Sequence, residues 1–148
     1  MTWRQLLASN RVRRHATSRQ EADSLRAVID RDLRDASLPG LSADRVFATA
    51  YNAGLQLAKL AIACAGFRPT FGPGHHQTTF EAARLALGPG SKPLTDYFEI
   101  CRRKRNTIDY DAAQVASDVE AQEIFQKAND FRQIVDAWIK HHHPNLAP

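Results

Sequence analysis

Four cations stand together at Arg102-Arg103-Lys104-Arg105, in a little more than one helical turn. Their mutual repulsion has to be offset by solvent, by carboxylates or by an anionic ligand. Helical spacing sets one of the four apart. At about 100° per residue, Arg105 falls close to Leu94, Phe98, Cys101 and Ile108, on a stripe that is otherwise apolar. A buried guanidinium without a partner costs several kcal/mol. Arg105 therefore needs a carboxylate, of which Asp109 at i+4 is the nearest, or an open cleft or interface. Asn106 and Tyr110, also four apart, add an amide and a phenol to the same site. As a functional cluster, Arg105, Asn106 and Tyr110 make a cationic, hydrogen-bonding site for an anionic ligand, with Arg102 and Arg103 as neighbouring cations. The competing readings are a solvated surface patch, or a structural network of Arg105, Asp109 and Tyr110 that holds the last helix pair or a dimer.

Other chemistry-bearing residues carry less. His75 and His76 sit in a glycine-rich loop, where solvation is the ordinary outcome and a general base near the cleft is the sharper one. His141, His142 and His143 point in different directions on a helix end, so they lack zinc-ligand spacing and no metal site is expected. Cys64 and Cys101 each lie on an apolar helix face and read as buried free thiols. Gly90-Ser91-Lys92 has no phosphate-loop spacing, and Pro93 removes an amide that such a loop would use. Trp3 and Trp138 read as core or interface anchors.

The elements that must position the cluster are helices. Ser18 with Glu21 forms a capping box, followed by Ala22, Leu25, Ile29 and Leu33 up to Leu38-Pro39-Gly40. Ser42 caps a second helix whose polar residues Arg45, Thr49, Asn52, Gln56 and Lys59 form one narrow stripe, so the helix is buried on most sides until Gly66 ends it. A shorter helix starts near Gln77, with Thr78 or Thr79 as its cap, and stops at Gly88-Pro89-Gly90. Pro93 opens the helix that carries the cations. Ser117 and Glu120 cap a last one, through Ile124, Phe131, Val135 and Trp138 to His142. No strand is expected. The fold class is all-α: an antiparallel up-and-down four-helix bundle with one short additional helix. Residues 1–17 read as a basic solvated arm around Arg11, Arg13, Arg14 and His15, residues 18–143 as the bundle, and residues 144–148 as a tail.

Composition bounds the function. With 148 residues, 43% hydrophobic and 24% charged, the chain has the balance of one globular domain, not that of a disordered or membrane chain. Its longest apolar stretch, Leu57 to Phe67, contains Lys59 and falls short of the roughly 20 residues that span a bilayer. The first residues carry no apolar run of signal-peptide length, so a cytoplasmic protein is expected. A net charge of +4 admits an anionic partner without requiring one.

The stretch Arg105-Asn106-Thr107-Ile108-Asp109-Tyr110 resembles the signature of the HEPN superfamily of nucleotide-binding helical domains: an arginine, a polar residue, three variable residues and a histidine. Arginine and asparagine match, and Tyr110 stands where the histidine belongs. Helix order and length resemble the superfamily over most of the chain. The resemblance implies a homodimer that juxtaposes two motifs in a cleft, metal-independent RNA cleavage or RNA or nucleotide binding, no cofactor, and often a nucleotidyltransferase partner in a toxin-antitoxin or defence setting. The departure at Tyr110 has a chemical consequence. A phenol with a pKa near 10 is about 0.1% ionised at neutral pH, against a histidine near 6.5, so it is a poor general base. Hydrogen bonding to phosphate, stacking on a base or proton donation remains open to it, and binding can persist where cleavage does not. The expected classes are thus an RNA- or nucleotide-binding protein, a ribonuclease in which Tyr110 or a loop histidine moves the proton, or a protein-protein interaction module.

Overall fold

In the computed structural model of the chain, residues 1–110 and 113–148 are described, with only the helical backbone at Tyr110. The order is α1 (Trp3–Ala8), β1 (Val12–Arg14), α2 (Arg19–Ala36), α3 (Ala43–Cys64), β2 (Phe67–Pro69), α4 (His75–Leu87), α5 (Lys92–Tyr110) and α6 (Asp118–His142), with single 3-10 turns at Pro89–Ser91 and Pro144–Leu146. Helix dominates, as its local signals foretell. Ser18, Ser42 and Ser117 each accept the amide of the residue three positions on, closing the first turns of α2, α3 and α6. Gly66 and Gly88, at φ +96°, follow α3 and α4 in backbone conformations that L side chains rarely adopt.

Helix α3 is the centre of the fold and packs against α2, α4, α5 and α6. Burial on nearly all its faces follows from its composition: apart from Asp44 in the first turn, the residues outside the Arg45–Thr49–Asn52–Gln56–Lys59 stripe are small or largely apolar, and most are buried. At the α3–α5 crossing Gly54 lets the fully buried Phe98 ring lie directly on the α3 backbone. That ring is packed in turn by Phe80 (centroids 5.9 Å apart), Phe131 (5.7 Å) and Tyr51 (6.5 Å), which ties α3, α4, α5 and α6 into one core. At the other end of α3, Asp44 accepts the amides of Val115 (2.9 Å) and Ala116 (2.7 Å), fixing the chain as it enters α6.

Several sequence expectations give way. A strand pair exists: β1 and β2 form an antiparallel two-stranded ladder, Val12 opposite Pro69 and Arg14 opposite Phe67. The solvated arm over residues 1–17 is instead folded onto the helices, with Leu6 and Val12 buried and Trp3 stacked on Phe67 at 4.1 Å. Two of its basic side chains are engaged. Arg11 donates to Thr78 (3.0 Å) and Glu81 (2.9 Å), and His15 meets Glu21 at 2.6 Å. That contact draws the Glu21 carboxylate toward His15, and only the serine half of the Ser18–Glu21 capping box forms. Helix α4 begins at His75 rather than near Gln77, and its cap is Gly74 in the left-handed region (φ +77°) rather than a threonine. No helix among the described residues is long and apolar enough to cross a membrane.

Candidate functional site

The cation run lies in the second half of α5, and the helix sends its four members to different places. Lys104 pairs with Glu120 of α6 and lies over the Phe47 ring. Arg103 is exposed and lines, with Arg102, a shallow cleft of about 580 Å³. Asp96 and Glu99 line that cleft too, so its two carboxylates offset its two arginines. Arg105 turns inward, as its place on the apolar stripe requires. Its side chain is 21% exposed, its Nε lies 3.2 Å from Asp109 Oδ2, and its guanidinium carbon sits 5.6 Å from the Tyr51 ring centre. The partner carboxylate at i+4 is thus in place, and the aromatic face covers the cation from the α3 side. The geometry to Asp109 leaves the buried Nε–H without a hydrogen bond, while Nη1 reaches Asn106 Oδ1 at 3.4 Å. Tyr110 closes α5, and its side chain lies outside the described residues, so the structural network with Arg105 is described only as far as Asp109.

Arg102 is the cation left over. Among the described residues it has no carboxylate within ion-pairing distance, and its buried Nε has no hydrogen-bond partner. With Asn106, one turn on, it lines a second cleft of about 250 Å³ whose opposite wall is Gly72, Gly74, His75 and His76. This wall is the start of α4. No side chain caps that end, so the amides of its first turn add a partial positive charge to the cleft. The glycine-rich loop thus brings both histidines beside Arg102 and Asn106, a meeting for which the sequence offered only a loop of unknown position.

His76 is held by a buried phenol. The Tyr51 hydroxyl and His76 Nδ1 are 3.0 Å apart. Burial raises the Tyr51 pKa far above the ordinary phenol value, against the opposing pull of Arg105 and Arg102, so the hydroxyl keeps its proton. The same hydroxyl has no other partner among the described residues, so donation to Nδ1 is the arrangement that gives its proton a protein acceptor. Neutral His76 then carries its own proton on Nε2. Burial, and after it His75, Arg105, Lys59 and Arg102, lower the His76 pKa to about 4. At neutral pH this imidazole is an uncharged hydrogen-bond donor. With its one lone pair engaged by the phenol and its pKa held at about 4, it is a poor general base at neutral pH.

What the site can do is receive an anion. It holds a guanidinium without an ion pair, an amide, an imidazole and an uncapped helix start around one opening; Asp109 is turned to Arg105, and Glu99 borders Arg102 from the neighbouring cleft. Both cysteines are buried free thiols that do not line the cleft, and burial raises both pKa values, Cys64 to about 11. Among the described residues no group of three histidines, cysteines or carboxylates is placed to hold a metal ion. Comparison of the chain with protein-family models, with curated proteins and with solved structures returns no match.

Proposed function

We propose that the chain is a HEPN-like helical domain that binds RNA or a nucleotide by its phosphate. In this reading α2, α3, α5 and α6 are the four long helices of an antiparallel up-and-down bundle, and α4 is the short addition that carries the histidines to the site. The observation that carries it is Arg102, whose guanidinium lacks a protein partner among the described residues and faces the uncapped start of α4 across a cleft of about 250 Å³. Phosphate completes both halves. Arg102 and Asn106 contact the anion, His76 donates from Nε2, and Arg105 is a positioning residue that presses on Tyr51 and Asn106. Arg103 contributes charge from the neighbouring face, and Tyr110 keeps the hydrogen-bonding role that the motif resemblance implies. Binding is favoured over cleavage because His76 holds no free lone pair and a phenol at position 110 is a weak base.

The test is fluorescence anisotropy of a labelled single-stranded RNA at several salt concentrations. Affinity is expected to fall as salt rises, and Arg102→Ala to weaken binding and flatten the slope of log K against log salt by about 0.7, one phosphate contact on a single strand. Salt-independent binding, or an unchanged slope in R102A, contradicts the reading. RNA incubated with the protein in chelator is expected to stay intact, and cleavage that disappears in Arg105→Ala would establish the ribonuclease alternative.

A protein-protein interface is the second reading, favoured by Ile100 and Val119, which are 79% and 78% exposed. Ile100 lines a cleft where α5 meets α6, and this reading puts the interface on that face. A homodimer through that face agrees with the resemblance, which also implies a nucleotidyltransferase-type partner and a toxin-antitoxin setting. Sedimentation of the purified protein as a monomer at micromolar concentration would dismiss the homodimer.

A further inference from the structure

We propose that Phe71 and His75 form a nucleobase-stacking platform between two cation-lined clefts, and that the ligand is therefore a single-stranded RNA drawn across the loop; the proposal rests on the phosphate-binding reading above. Phe71 is 82% exposed, more than any other large hydrophobic side chain among the described residues. A side chain of this size loses favourable burial by standing in water. Its stem is nevertheless fixed. Thr70 donates its amide to the Arg11 carbonyl (2.9 Å) and its hydroxyl to the Asn10 carbonyl (2.7 Å), so the loop is tied to the N-terminal segment immediately before Phe71.

The platform sits where the charge is. His75, whose ring centre lies 5.3 Å from that of Phe71, lines the Arg102–Asn106 cleft on one side. On the other side His75 and Phe71 together line a small cleft with Lys59 and Arg68. Glu21 also borders this second cleft, but its carboxylate is engaged by His15 at 2.6 Å. Burial, and then Lys59, lower the His75 pKa, so its ring is a neutral aromatic surface at pH 7. Two aromatic rings between an arginine cleft and a lysine-arginine cleft match a strand's alternation of base and phosphate. A free phosphate fills only one cleft, and a duplex keeps its bases stacked on each other and away from Phe71.

The experiment compares labelled hexauridylate with an abasic strand of the same phosphate count and with a duplex of the same length. Wild type is expected to hold hexauridylate about tenfold or more tightly than either. Phe71→Ala brings hexauridylate down to the abasic level, and Phe71→Trp restores it, with an indole signal quenched by hexauridylate and unchanged by the abasic strand. Equal affinity of wild type for hexauridylate and the abasic strand overturns the platform and leaves the phosphate site standing. So does a Phe71→Ala protein that binds hexauridylate normally while Arg102→Ala does not. Failure of wild type to bind either strand overturns both readings.

Discussion

Replacing Gly54 by alanine tests whether the α3–α5 crossing is what sets the site. An added methyl would stand 2.7 Å from Phe98 Cδ1 and Cζ, and closer still to Cε1, well inside ordinary carbon contact. The ring cannot swing aside, because Phe80, Phe131 and Tyr51 pack it on the remaining sides. Overpacking of this kind costs about 1–3 kcal/mol, and the rigidity of the ring places this case near 3. Alanine recovers about 1 kcal/mol as the better helix former. The net loss is about 2 kcal/mol, or about 4–8 °C in Tm for a domain of this size. Arg102 and Arg105 follow Phe98 by one and two turns on α5, so relief of the clash moves both relative to Tyr51 and the start of α4. Urea unfolding with G54A, F98L and the double variant measures the coupling, and F98L is expected to recover part of the loss by removing the ring from the alanine methyl. A G54A protein as stable as wild type, with unchanged RNA affinity, refutes the close approach and the positioning argument together.

The low His76 pKa has a definite sign in stability. An unfolded histidine takes a proton near pH 6.5, whereas folded His76 waits until about 4, so stability falls as pH drops across that window and is level above it. Partial solvent access limits the loss to about 1–2 kcal/mol, and imidazole titration by NMR checks the site directly, with Tyr51→Phe expected to raise the pKa. A His76 that titrates near 6.5 in wild type would refute the arrangement. Asn52→Ala removes the donor 2.6 Å from the buried Asp32 carboxylate and leaves it only Arg31, so a loss of about 1–3 kcal/mol is expected in urea unfolding.

Local chemistry made much of this chain readable. The caps at Ser18, Ser42 and Ser117, the stops after α3 and α4 and the polar stripe of α3 depend on neighbours within a few residues, and each stands where its spacing places it. The Arg105–Asp109 pair is of the same kind, because an i, i+4 contact is dictated by the helix itself. Contacts between distant parts of the chain were not readable. The three-residue strands β1 and β2 lie more than fifty residues apart and carry no periodicity of their own, so the arm seemed free until its partner was known. His76 belongs with Arg102 and Asn106 only because α3 and α5 meet through Gly54 and Phe98, and α4 is held against both. Sequence alone determined helices α2 to α6 and which arginine must face inward, since backbone geometry imposes those, whereas α1 reads as part of the arm. Packing alone decided that Arg102, rather than Arg105, faces the open cleft, since that depends on which surfaces meet in space.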